Sequence, residues 1–168
     1  SSWAHAINGN GKYQPYLKQS KLVTSTIEEP HIYRLGVCSQ DMQYDTNGDI
    51  YFAVYDKTNS VFNSKKNVPA GADEFLLMEA GTDADGHPLY YIYDHTQSQY
   101  CYYTALTSGS NGTVKLQASN EGDTKWYLMQ HENTGRYIII PEGAGYKQDA
   151  VSWNFYKGFD KTLGLYPG

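Results

Sequence analysis

The ten residues Tyr51 to Ser60, Tyr-Phe-Ala-Val-Tyr-Asp-Lys-Thr-Asn-Ser, return as Tyr90 to Ser98, Tyr-Tyr-Ile-Tyr-Asp-His-Thr-Gln-Ser. Val54-Tyr55-Asp56 laid on Ile92-Tyr93-Asp94 gives a shift of 38 positions, from 56 to 94. In both copies an alternating aromatic and aliphatic run stops at Asp-x-Thr-Asn/Gln-Ser. Alternation marks a half-buried strand, and the polar stop favours a tight turn. Each copy therefore reads as the first arm of a β-hairpin, and a chain that makes one hairpin twice is expected to be built from repeated units.

Further landmarks fall into this register. A Gly shortly before a Tyr that opens an apolar strand occurs at Gly11/Tyr13, Gly48/Tyr51, Gly86/Tyr90 and Gly135/Tyr137. An aromatic that leads into Leu-Met occurs at Phe75-Leu76-Leu77-Met78 and at Trp126-Tyr127-Leu128-Met129, with Trp3 to Ile7 as a weaker third. In each case the aromatic strand comes first, a Gly-containing loop follows, and the Tyr strand is expected to run back. His31 to Val37, Thr113 to Gln117, Val151 to Phe155 and Thr162 to Tyr166 supply further short strands, and Asn111-Gly112 is a favourable turn pair. No stretch carries a 3.6-residue apolar stripe with helix caps, so the chain reads as all-β, a sandwich, barrel or propeller.

At 168 residues the chain is long enough for one domain over 1–168, with 1–30 its weakest unit. A net charge of −5, with no basic cluster beyond Lys65-Lys66, argues against nucleic acid as a partner. The apolar run around Ile138 to Ile140 is far short of the roughly 18 residues that would insert in a membrane. Seventeen Tyr and sixteen Gly suit a loop-rich β protein that displays many aromatic hydroxyls. Such rings either fill the core or stack on the apolar face of a pyranose. Cys38 and Cys101 are compatible with one disulfide and equally with two buried thiols.

The stretch from Gly86 to Met129 and the one from Gly135 resemble the repeats of ricin-type β-trefoil lectins. Those repeats run as a Gly-x-Tyr strand, a hairpin, a strand of the Ile-Gln-Leu-Trp-Pro type and a closing Gln-x-Trp. Leu163-Gly164-Leu165-Tyr166-Pro167 matches the third element, and Thr124-Lys125-Trp126 the last, with Thr in place of Gln. Ser152 to Gly158 followed by Gly164-Leu165-Tyr166 also looks like trefoil accessory modules of secreted bacterial glycan-degrading enzymes. The resemblance covers about residues 31 to 168 and implies a β-trefoil that binds carbohydrate without catalysis. The Asp that such lectins carry on the second hairpin arm has no match. Cys101 to Thr104 and Val151 to Asn154 stand in those places, so galactose recognition of the ricin kind is not expected. A trefoil has three units while the Tyr landmark occurs four times, which keeps a four-bladed propeller or another small barrel as the alternative. The Trp3 strand is a candidate to close the last unit.

For sugar binding the first candidates are Trp153, Asn154, Tyr156 and Tyr166, where stacking faces and amide groups fall within one unit. Tyr102, Tyr103, Asn111 and Gln117 form the counterpart set, and in both sets alternate members are open to a core role. Asp45 to Asp49 places oxygens as a calcium loop begins, but Ile50 stands where the loop needs Gly, and Gly81 to Gly86 is similar. Both read as solvated turns, with no metal and no cofactor expected. The chain has no Gly-x-Ser-x-Gly elbow and no His-Glu-x-x-His, and its five His lack ligand spacing. Glu74, Asp94 and Asp149 could serve as glycosidase acids only if space brought them together. The expectation is a non-enzymatic module of an extracellular, cell-surface or periplasmic protein whose partner is a glycan, attached to other domains of a larger chain. The runner-up is a structural or protein-interaction module, and a third reading is a protease inhibitor presenting Asn67 to Gly71.

Overall fold

Short apolar runs decide the local structure. Phe75, Leu76 and Leu77 are buried in succession, as are Ile139, Ile140 and Pro141, the pattern of strands covered on both faces. The computed structural model describes residues 22–38, 50–66, 70–104, 112–130, 137–155 and 162–167. They form eleven strands: β1 (Gly36–Cys38), β2 (Ile50–Asp56), β3 (Val61–Lys66), β4 (Phe75–Thr82), β5 (Pro88–Asp94), β6 (Gln99–Tyr103), β7 (Val114–Gln117), β8 (Lys125–Gln130), β9 (Tyr137–Pro141), β10 (Val151–Phe155) and β11 (Leu163–Pro167). Among the described residues the helical content is a single 3₁₀ turn, Glu142–Ala144, so the chain is all-β. Every pairing between these strands is antiparallel.

The strands gather into β1-β2-β3, β10-β11 and a larger sheet ordered β7-β6-β5-β8-β9 with β4 also on β5. β5 can accept three partners because β4 takes one edge while β8 and β6 divide the other. β8 pairs at Tyr90 and Tyr91, and β6 at Tyr93 and Asp94. The aromatic landmarks fold as expected: β4 runs back into β5, and β8 into β9. The Tyr51 and Tyr90 stretches do not occupy matching places. β2 lies between β1 and β3, whereas β5 bonds to β4, β6 and β8. Their likeness is confined to the turn that follows each, where Ser60 and Ser98 both take positive φ, 55° and 56°.

The core forms where elements remote in sequence meet. Phe62 packs on Phe75 and Trp153, with ring centroids 5.7 and 6.4 Å apart, and Trp153 meets Trp126 edge-on at 5.8 Å. Pairs of this kind contribute about 0.5–1.5 kcal/mol each beyond the area they bury. The second arms β3, β7 and β11 come together, with bridges Asn63↔Thr162 and Thr113↔Gly164. Cys101 is a free thiol buried in this core, so the disulfide alternative does not hold for it; burial pushes the thiol well up. A smaller cluster, Leu89, Tyr127, Met129, Ile140 and Ala150, underlies the loop that follows β9. The Trp3 strand and the Asp45 loop lie outside the described residues.

Candidate functional site

The β4–β5 turn is organised by one carboxylate. Asp83 Oδ1 accepts the backbone N–H of Asp85 (2.9 Å) and of His87 (2.8 Å), and Asp83 Oδ2 accepts the Tyr127 hydroxyl (2.7 Å) and meets His87 Nδ1 (3.0 Å). An aspartate that satisfies its own turn is an Asx arrangement. Gly86 completes it with φ 87°, a conformation that side chains rarely tolerate. The Tyr127 hydroxyl foremost, with the His87 donors, holds the Asp83 carboxyl down to about 2. Burial, then the bond to Asp83, pushes the Tyr127 phenol up to about 12.

His87, fixed in this way, carries a second ring. Tyr146 stacks on it at 3.9 Å and 18°, and meets the edge of Tyr127 at 5.4 Å. Tyr146 is nevertheless 42 % exposed. It follows the 3₁₀ turn, whose Gly143 N–H donates to the Tyr103 hydroxyl (3.1 Å) and whose end is closed by Gly145 N–H to the Glu142 carbonyl. The result is an aromatic plate at the surface, held from below by Tyr127 and Tyr103. The carboxylates of Asp83, Glu142 and Asp85 all act on the Tyr127 hydroxyl, so the plate stands in acidic surroundings.

Asp83, Asp85 and His87 bring their ligand atoms within 4.8 Å of one another. Asp83 already accepts four hydrogen bonds, and an ion would have to displace them. The four bonds account for the group as a turn, as the sequence implies for Gly81 to Gly86.

The structure divides the residues singled out from sequence. Trp153 is 5 % exposed with its rings against Phe62, Phe75 and Trp126, and it is a core residue with no face open to a sugar. Tyr103, 6 % exposed and edge-on to Trp126, is likewise internal, and only its hydroxyl reaches the Glu142–Ala144 turn. Asn154 and Tyr166 share the opposite face of their hairpin, since Asn154 pairs with Gly164 and Tyr166 lies two residues further on. A Cβ on Gly164 would come within 2.8 Å of Tyr166 Cε2, so the Tyr ring lies over the bare glycine. Tyr102 and Gln117 share the outward face of β6–β7, but the Gln117 amide nitrogen is occupied by the carbonyls of Ser119 and Glu121. Tyr156, Asn111 and most of the Asn67 to Gly71 loop fall outside the described residues. Of the candidate acids, Asp94 is fully buried, so substrate cannot reach it.

Sequence reasoning missed Tyr146 and His87. The available signal was an aromatic ring in a Gly-rich stretch, Gly143 to Tyr146, outside any strand alternation and hence without a core role. No protein-family model matches the chain, and comparison with curated protein sequences finds no match.

Proposed function

We propose that the chain is a β-trefoil of three hairpin-bearing units and a non-catalytic carbohydrate-binding module of a secreted or cell-surface protein. Strands β1–β4, β5–β8 and β9–β11 make three groups, each with its hairpin in the same place: β2–β3, β6–β7 and β10–β11. The bridge Tyr33↔Phe75 in the first group corresponds to Tyr90↔Trp126 in the second. Asp73-Glu74-Phe75 and Thr124-Lys125-Trp126 then stand where the lectin repeats close with Gln-x-Trp. With Tyr51 removed from the landmark series, three units fit better than four.

The observation that carries the functional reading is the exposed Tyr146 ring stacked on His87 and anchored through Asp83 and Tyr127. A pre-positioned aromatic plate accepts the C–H face of a pyranose without first losing rotamer freedom. The Asp85 carboxylate beside it accepts sugar hydroxyls. Its acidic surroundings favour neutral glycans over sulfated or uronic ones. On a glycan array and by calorimetry, the wild-type chain binds neutral oligosaccharides, and Tyr146→Ala weakens binding about tenfold or more, roughly 1.4 kcal/mol, while the chain stays folded at the assay temperature. Silence of the wild type across diverse glycans would overturn the reading. It would favour the structural or protein-interaction module, to which the exposed side chains Val23 and Ile27, 43 % and 40 % accessible, already point.

A further inference from the structure

Asp73 and Asp94 are acidic side chains withdrawn almost wholly from water, 4 % and 0 % exposed. They join parts of the fold that are not neighbours in sequence. Asp73, just before β4, accepts the Tyr55 N–H of β2 at Oδ1 (3.0 Å) and the Gln97 side-chain amide at Oδ2 (3.3 Å). Asp94, at the end of β5, accepts the Gln97 backbone N–H at Oδ1 (3.0 Å). Gln97 thus touches both carboxyls. Asp94 Oδ2 is buried with no donor, and the side chain that meets the Asp94 carboxyl is Asp73. Two carboxylates cannot hydrogen-bond to each other; one must carry a proton. No lysine, arginine or histidine among the described residues forms an ion pair with either.

We propose that Asp73 and Asp94 share one proton and form a clasp between β2 and the β5–β6 turn that is tight in acid and loosens as the medium becomes alkaline. Burial foremost, and then the bond to Asp73 and its charge, pushes the Asp94 carboxyl far above its ordinary 3.8. The folded chain therefore keeps a proton that the unfolded chain releases. Stability from this pair falls as pH rises from the ordinary carboxylate value towards the raised one.

The titratable groups around the pair leave it as the source of that slope. Cys101 on β6 stays a neutral thiol, pushed up by burial and by both aspartates. Glu74 adjoins Asp73, and its carbonyl accepts the His95 N–H (2.7 Å). The His95 ring lies against Tyr93, with centroids 6.4 Å apart. Tyr55 contributes its backbone N–H. The clasp is independent of what the Tyr146 plate binds.

Thermal unfolding of the full chain from about pH 5 to about pH 9 tests the clasp in three proteins: wild type, Asp94→Asn and His95→Asn. In wild type the melting temperature falls across the range. In Asp94→Asn, whose amide donates to Asp73 without titrating, the fall is largely gone and the protein melts above wild type at the alkaline end. His95→Asn keeps the wild-type slope. An unchanged slope in Asp94→Asn, or its loss in His95→Asn, overturns the proposal. Infrared spectroscopy of wild type gives a second test that needs no variant: a buried protonated-carboxyl band at neutral pH supports the shared proton, and its absence rejects it.

Discussion

The two hairpin turns after β2 and β5 are spelled almost alike, yet their aspartates are opposites. Asp56 accepts four hydrogen bonds, from the backbone N–H of Thr58 and Asn59 and from the side-chain amides of Asn59 and Asn63. Those donors, the Asn59 amide first, lower its pKa. Asp94 has the same local motif, but it pairs in register with Phe75 of β4 and is fully buried, and that burial first of all pushes its carboxyl up. The turn sequence fixes the backbone, and the surroundings fix the direction in which the carboxyl is shifted. A motif repeated in sequence is therefore no guarantee of a repeated site.

The largest break in this comparison is expected from Asp73→Ala. It strips the acceptor from Tyr55 N–H, from the Gln97 amide and from the Asp94 proton together. The loss of stability is about 2 kcal/mol or more, read from urea denaturation at mildly acidic pH. Asp56→Ala has a smaller effect of opposite pH dependence. Because the Asp56 pKa is lowered in the fold, its contribution is present above 3.8 and disappears as pH falls through the lowered value. Acid titrations of wild type and Asp56→Ala should converge at the acid end; parallel curves would show that the turn bonds do not matter to folding. The smallest effects are expected from Ser60→Gly and Ser98→Gly. Each relieves a left-handed serine and gains about 0.5 kcal/mol, equally in the two turns because their backbones agree. Unequal gains would mean that the turns differ in backbone as well as in surroundings.

What could be read from the sequence follows from what is local. Aromatic alternation placed the strands, and Phe75 and Trp126 marked the two that fold back into β5 and β9. Alternation also shows that neighbours face opposite ways without saying which way is in. Trp153 therefore went to the core while Asn154 took the other face. The match between Tyr51 and Tyr90 misled because turn chemistry repeats more readily than strand pairing. The Tyr146 plate depends on a loop after β9 meeting the β4–β5 turn, a contact written in no single stretch. The Asp73–Asp94 pair is hidden for the same reason.

The meeting of β3, β7 and β11 has a kinetic consequence. Asn63 and Thr162 touch only after nearly a hundred intervening residues have been arranged, so the entropy of closing that span is lost before the contact can repay it. Assembly should be slow for a chain of this size, and limited by the arrival of the final hairpin instead of by any single turn.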